Sequence, residues 1–208
     1  MGDRRPIAAR TLPPVVALSD WLIRHGASAN GISVLGMVAA CLAGLALALA
    51  PSVTHWGWAL WLGGAALVQM RLLANMLDGM VALGRGTASA VGELYNEIPD
   101  RVADTAVLVG LGYAAGSVAS GLAAAMAAMA TAYVRAVGRG LGRPSDFCGP
   151  MAKQQRMALV TATAVLSALW PAQRAILPLS MLWVITALSV YTAWRRLVHV
   201  AQGLQAKS

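Results

Sequence analysis

Four long stretches of this chain carry no charged residue: Gly26 to Met70, Thr105 to Val134, Met157 to Gln173 and Ala175 to Trp194. Each is near or above the roughly 17–25 residues that an α-helix needs to cross the apolar core of a bilayer. Turn-forming residues mark the gaps: Pro51-Ser52, Gly84-Arg85-Gly86, Gly116-Ser117, Arg143-Pro144-Ser145 and Pro171. The pattern predicts an all-α integral membrane protein with six transmembrane helices, at about 31–50, 57–82, 93–114, 117–141, 154–171 and 175–197. Asp78 interrupts the second, so its last turns are expected to protrude from the membrane or face a polar cavity. The third becomes apolar only after Asp104. Ahead of the spans, Pro14 to His25 carries Val15, Leu18 and Leu22, with Trp21, Arg24 and His25 at its polar end. This predicts an N-terminal amphipathic helix in the interface plane, a solvated lead-in being the alternative.

Composition agrees. Of 208 residues, 58% are hydrophobic and only 12% charged, whereas a soluble domain carries about 25% charged residues. The mean hydropathy is +0.64. One domain is expected over 1–208, with 1–28 as a cytoplasmic or interfacial segment. The first apolar run begins too deep for a cleaved signal peptide. Pro6 stands where a myristoylation motif at Gly2 would need Ser or Thr. Cys41 and Cys148 form no ligand pattern and are read as inert thiols.

Fifteen of the 16 basic residues fall on one side of this topology and only Arg174 on the other. The positive-inside rule then places both termini in the cytoplasm, as for a multi-pass protein of a bacterial cytoplasmic membrane. The net charge of +8 follows from that asymmetry and from anionic lipid at the same surface, without nucleic acid.

Charge of the other sign is concentrated. Five of the eight acidic residues, Asp78, Glu93, Glu97, Asp100 and Asp104, lie between positions 78 and 104. A carboxylate at membrane depth is expensive unless a cation, a proton or a water-filled cavity offsets it. Asn75 and Asp78 share one helix face, about 4.5 Å apart along the axis. Gly79 and Ala82 follow, small enough for a helix or a phosphate to approach. After Gly92, Asn96, Asp100 and Asp104 recur every four residues, with Glu93 and Glu97 beside them. Packed antiparallel, two such helices bring their oxygen-rich faces together near the cytoplasmic boundary. Oxygen donors without nearby His or Cys suit Mg²⁺ or Mn²⁺. The alternative is that the acids only neutralise Arg71, Arg85 and Arg101, but ion pairing does not require this spacing.

Asn75, Asp78, Gly79 and Ala82, followed by Gly92, Asn96 and Asp100, resemble the CDP-alcohol phosphatidyltransferase motif, D-x2-D-G-x2-A-R-x8-G-x3-D-x3-D. Asp100-Arg101 to Asp104 is similar to the D-R-x-x-D that many members show there. The resemblance implies an integral membrane enzyme that moves a phosphatidyl group from CDP-diacylglycerol or a related CDP-alcohol to an acceptor alcohol, releasing CMP. It implies metal ligation by Asn75, Asp78, Asn96 and Asp100, with Asp100 also the base, and CDP contacts at Gly79, Ala82 and Gly92. A homodimer is likewise implied. Asn replaces an acid at positions 75 and 96, and Leu83 replaces the Arg. Two formal charges are lost, so the metal pair is expected to weaken or become a single ion. Glu93, Glu97 or Asp104 would compensate, and Arg85 would reach the phosphate that Leu83 cannot.

A second polar concentration follows in Arg135, Arg139, Arg143, Lys153 and Arg156. Arg135, Arg139, Lys153 and Arg156 converging on one pocket would hold a phosphate dianion. The stretch resembles the Y-x-R-A…G-x3-R-x-E-R pattern of members whose acceptor carries a phosphate, implying glycerol 3-phosphate or an inositol phosphate. Positive-inside topology alone is the competing account. Asn30, before the first span, is read either as a nucleotide contact or as part of a helix cap. Trp56, Trp58, Trp61, Trp170, Trp183 and Trp194 read as interfacial anchors; Met70, Met76 and Met80 as packing; His25, His55 and His199 as scattered. The two competing functions are a catalytically impaired nucleotide-binding pseudoenzyme and a small divalent-cation transporter. A transporter needs polar residues reaching the far face, and the spans beyond Asp104 supply few.

Overall fold

Backbone N–H and C=O groups that leave water must bond to one another, and a helix does this within one segment. The computed structural model describes residues 8–87 and 89–205, without the side chains of Ala8, Ala90 and Glu93. It is 84% helical with no strand among the described residues, so the all-α expectation holds. The readings of Gly2 and Pro6 lie outside those residues, as do Arg4, Arg5 and Lys207 of the fifteen basic residues placed on one side.

The helices are α1 (Pro13–Arg24), α2 (Ala29–Leu49), α3 (Gly57–Gly84), α4 (Ala90–Ala114), α5 (Val118–Gly140), α6 (Lys153–Leu169) and α7 (Leu177–Gln205). α2 to α7 correspond to the six expected segments. α7 runs past 197 because charged Arg195 and Arg196 end an apolar stretch, not a helix. By length and composition α2 with its following turn, α3, α5 and α7 are apolar enough to cross a bilayer. α4 spends its first half on the acidic cluster, and α6 is only 17 residues long and opens on Lys153 and Arg156.

α1 is docked rather than a free lead-in. Its Val15, Leu22 and Ile23 pack on Ile32, Leu77 and Val81, while Leu12 and Trp21 are exposed. α2 packs against α3 and α4, α5 against α4 and α7, and α6 against α3 and α7. The inward face of α2 is small (Gly36, Ala39, Ala40, Ala43 and Gly44), whereas Leu35, Val38, Leu42, Leu45 and Leu49 are exposed. A helix with small residues inside and large apolar ones outside is arranged for close backbone approach in a lipid-like solvent. Trp61 departs from its expected anchoring role: it is fully buried in the core, because that face of α3 meets the other helices. Met76 packs inside, but Met70 is exposed.

The tightest backbone-to-backbone approach among the described glycines lies where α2 crosses α4. A Cβ at Gly44 would collide with the Ala106 carbonyl oxygen, and one at Gly110 with the carbonyl oxygen of Gly44. This contact fixes α4 against α2, and so sets where Asp100 and Asp104 meet α3. Gly149, at φ 105°, lets the loop between α5 and α6 lie against Thr192. The Thr192 hydroxyl accepts from the Met151 N–H at 3.1 Å.

Gly110→Leu should therefore lower the melting temperature of the detergent-solubilised protein by roughly 5–10 °C or more, the expected range for overpacking in a chain of this size. Gly63→Leu is the control, because an added Cβ there meets nothing within 4 Å. Equal shifts for both would remove the crossing from its controlling role.

Candidate active site

Helical spacing puts Arg71, Asn75 and Asp78 on one face of α3, and Asn96, Asp100 and Asp104 on one face of α4. Ser89 caps α4, accepting from the Gly92 N–H at 3.1 Å. Pro99, inside the helix, removes an amide donor one residue before Asp100. α5 adds Arg135 and Arg139, the first turn of α6 Lys153 and Arg156, and α7 Arg196. Together with Asn75, Asp78, Asn96, Glu97 and Asp100, they line one cavity of about 530 Å³. This lies within the range of about 300–1,000 Å³ usual for small-molecule sites. Beyond Asp104, the α4 residues Val107, Leu108 and Leu111 are buried in the apolar core.

The expected residues converge, but with partners that local spacing did not indicate. Arg71, buried in α3, donates to Asp100 Oδ1 at 2.5 Å and lies 3.8 Å from Asp104. The Lys153 ammonium donates to Asp100 Oδ2 and to Asn75 Oδ1 at 2.8 Å. Asn75 Nδ2 donates to Asn96 Oδ1 at 2.8 Å and to Asp100 Oδ1 at 3.0 Å. Asp104 is buried and accepts from Arg156 at 3.0 Å. Arg71 and Arg101 thus do pair with the acids, as the competing account held, yet the pairing happens on the expected stripes.

Asp78 is different. It is only 4% exposed, and Ser33 donates to its Oδ2 at 2.6 Å. Among the described residues, no Lys or Arg stands within ion-pair distance of it. A buried carboxylate without a cation is the costly arrangement. It marks the point in this cluster where a hard cation would be accommodated.

Several expected roles are redirected. Asp104 is committed to Arg156 and Arg71, and Glu97 to Arg135 and Arg101, so neither is a free compensating ligand. The Glu93 side chain lies outside the description. Arg85 Nη1 donates to the Gly26 and Ala27 carbonyls at 2.8 and 2.7 Å, holding the α1–α2 loop, not the cavity. Gly79 lines the cavity, whereas Ala82, Gly92 and Asn30 do not. Ser28 caps α2 by accepting from Gly31 N, which supports the capping account of that stretch. Arg156 is buried and also donates to the Met151 carbonyl at 3.1 Å, so its task is structural.

Counted around the cavity, seven cations (Arg10, Arg101, Arg135, Arg139, Lys153, Arg156 and Arg196) face three carboxylates (Asp78, Glu97 and Asp100). The excess of positive charge favours a polyanionic ligand. Arg135 also lies over the Phe147 ring at 5.7 Å.

Asp146, Cys148 and His199 meet in the fold, although 51 positions separate Cys148 from His199 and no spacing signals the encounter. Their ligand atoms fall within 4.8 Å of one another. The Cys148 thiol and N–H donate to Asp146 at 3.3 and 2.8 Å, and His199 stands 3.1 Å from its Oδ2. Burial and the adjoining carboxylate push the Cys148 thiol up, which agrees with an inert cysteine. Burial opposes ionisation of Asp146, but the Cys148 and His199 contacts outweigh it and hold the carboxyl below its ordinary range. The three close the α5–α6 loop against α7.

No family model matches the chain. A phosphatidylinositol phosphate synthase from Mycobacteroides abscessus is 32% identical over 94 residues, covering 45% of this chain and 39% of that protein. The fold is similar to that of the Mycobacterium tuberculosis phosphatidylinositol phosphate synthase solved with CDP-DAG bound. That similarity has a TM-score of 0.72 at 25% identity, over 89% of this chain and 92% of that one. The same synthase solved with manganese and citrate gives a TM-score of 0.73 at 25% identity, over 89% and 88%. The chain thus spans well under half the length of the Mycobacteroides abscessus relative, while its helix arrangement is shared along most of its length with the solved synthase, and the gapped motif on α3 and α4 is similar to that of the CDP-alcohol phosphatidyltransferases.

Proposed function

We propose that the chain is a membrane phosphotransferase that moves the phosphatidyl group of CDP-diacylglycerol, or the corresponding group of a related CDP-alcohol, to a phosphorylated polyol, releasing CMP. One observation carries this reading: a single cavity joins the carboxylates of α3 and α4 to a cationic wall from α5 and α6. α2 to α7 form six spans in it, α1 lies in the interface plane, and both termini and the cavity face the cytoplasm. That orientation is supported by the one-sided Arg and Lys distribution. The chain works as a homodimer.

The donor set fits one Mg²⁺ or Mn²⁺ ion anchored at Asp78, beside Asn75, Asn96 and Asp100, whose side-chain oxygens already accept from Lys153, Asn75 and Arg71. Bound there, such an ion supplies neutralisation of the diphosphate charge. The protein's own groups do the rest. Arg135 and Arg139 bind the acceptor's phosphate by charge-assisted hydrogen bonds. Asp100 accepts the proton of the acceptor hydroxyl as its oxygen bonds to the phosphatidyl phosphorus. The bond from that phosphorus to the CMP oxygen breaks, and CMP leaves with the electron pair. Beyond Asp104, Val107, Leu108 and Leu111 of α4 are buried among apolar side chains, which disfavours an ion transporter.

CMP release from CDP-diacylglycerol, measured with Mn²⁺ across a panel of phosphorylated and plain polyols, tests the proposal. Turnover with a phosphorylated acceptor is expected. Nucleotide binding without turnover on any acceptor would make the chain a pseudoenzyme. Asp100→Asn should reduce CMP release by at least about 100-fold, the lower range for losing a positioned base, while the protein stays monodisperse; unchanged release would remove its assignment as base. Arg139→Ala should raise the acceptor KM about tenfold or more, as for losing a charge-assisted bond, and leave the donor KM unchanged. An equal rise in both would place Arg139 elsewhere.

A further inference from the structure

The cavity contains a cation of its own at the centre of the oxygen cluster, and its position differs from that of the other basic residues. Arg135 pairs with Glu97 at the wall, and Arg156 is sunk beneath Asp104. The Lys153 ammonium instead sits between Asn75 Oδ1 on α3 and Asp100 Oδ2 on α4. A metal shared by those two stripes would use these same donor atoms. The side chain keeps 18% of its surface accessible and lines the cavity, so it stands within reach of a ligand that fills that space.

The local charges divide accordingly. Asp100 is bracketed by Arg71 on one oxygen and Lys153 on the other. Asp104 is matched by Arg156 and Arg71. Asn75 and Asn96 are neutral amides that bond to each other. Among the described residues, Asp78 alone of these carboxylates has no Lys or Arg within ion-pair distance. One divalent ion answers Asp78, whereas a second, placed between Asn75 and Asp100, would have to displace a paired ammonium and would find a single charge to bind.

We infer that Lys153 is a resident cation of the site, so that a CDP-linked diphosphate is held between one divalent ion at Asp78 and one fixed ammonium. The inference rests on the transferase reading above and deepens it. The amides at 75 and 96 and the ammonium at 153 are then one coupled arrangement: lost negative charge on α3 and α4 is matched by a positive charge that α6 brings in. An ammonium is a compact point charge with three donors, suited to bridging non-ester phosphate oxygens.

The test uses the full chain in detergent, with Mn²⁺ counted by electron paramagnetic resonance and CDP affinity measured by calorimetry. The wild-type protein should bind one Mn²⁺ per chain, with or without CDP. Lys153→Met should weaken CDP about tenfold or more at saturating Mn²⁺, while the Mn²⁺ count stays at one, and Lys153→Arg should keep CDP affinity within about threefold. Two Mn²⁺ per wild-type chain with CDP bound would overturn the inference and leave the transferase reading standing. That count needs no variant, so it decides the matter even if Lys153→Met fails to fold. A folded Lys153→Met protein that binds CDP as tightly as wild type would overturn it as well. Failure of the wild-type chain to bind CDP at any Mn²⁺ concentration would overturn both.

Discussion

Asp100, gripped by Arg71 from α3 and by Lys153 from α6, is the contact around which this protein is arranged. It joins three helices at one carboxylate. Each ion in it is largely withdrawn from water, so each is tolerable only because the others are present. The small-residue crossing of α2 and α4 at Gly44 and Gly110 sets the depth at which α4 delivers that carboxylate. The buried Arg156–Asp104 pair fixes the first turn of α6, from which Lys153 extends. Packing between apolar helices thus determines the charge geometry, and the charge geometry defines what the cavity can receive.

The fold and the two acidic stripes were legible because both depend on local periodicity. Uncharged runs of sufficient length and turn residues between them set the helices, and spacing of three and four put Asn75 with Asp78 and Asp100 with Asp104. What was not legible came from contacts between distant segments. Ser33 reaches Asp78 across 45 positions and Lys153 reaches Asn75 across 78; no periodic pattern encodes which basic residue will meet which acid. Arg85 looked available for a phosphate because it is a cation near the motif, but the open carbonyls of the α1–α2 loop claim it. Trp61 looked like an anchor by type and position, yet its face of α3 meets the core. The Asp146, Cys148 and His199 cluster needs the loop and the end of α7 folded together before it exists at all.

The departures at Asn75 and Asn96 have a physical consequence in the folded chain. Removing two negative charges from facing helices, with a lysine between them, changes the balance of the cavity from cation-collecting to anion-receiving. Seven basic groups against three carboxylates around one space would attract a diphosphate or a phosphorylated alcohol before any metal arrived. Of the three, Asp78 is the one with no Lys or Arg within ion-pair distance among the described residues, and its neighbours Ser33 and Gly79 are small. On the proposed reading, the cluster is an anion site with a single remaining place for a hard cation.

The central claim is that this place lies at Asp78, beside the diphosphate. Diffraction from crystals grown with Mn²⁺ and CDP, collected at the manganese absorption edge, tests it most directly. The account predicts one anomalous peak within coordination distance of Asp78 and the Lys153 ammonium against the diphosphate. A peak pair flanking Asp100 with Lys153 swung away, or no peak near Asp78, would contradict it.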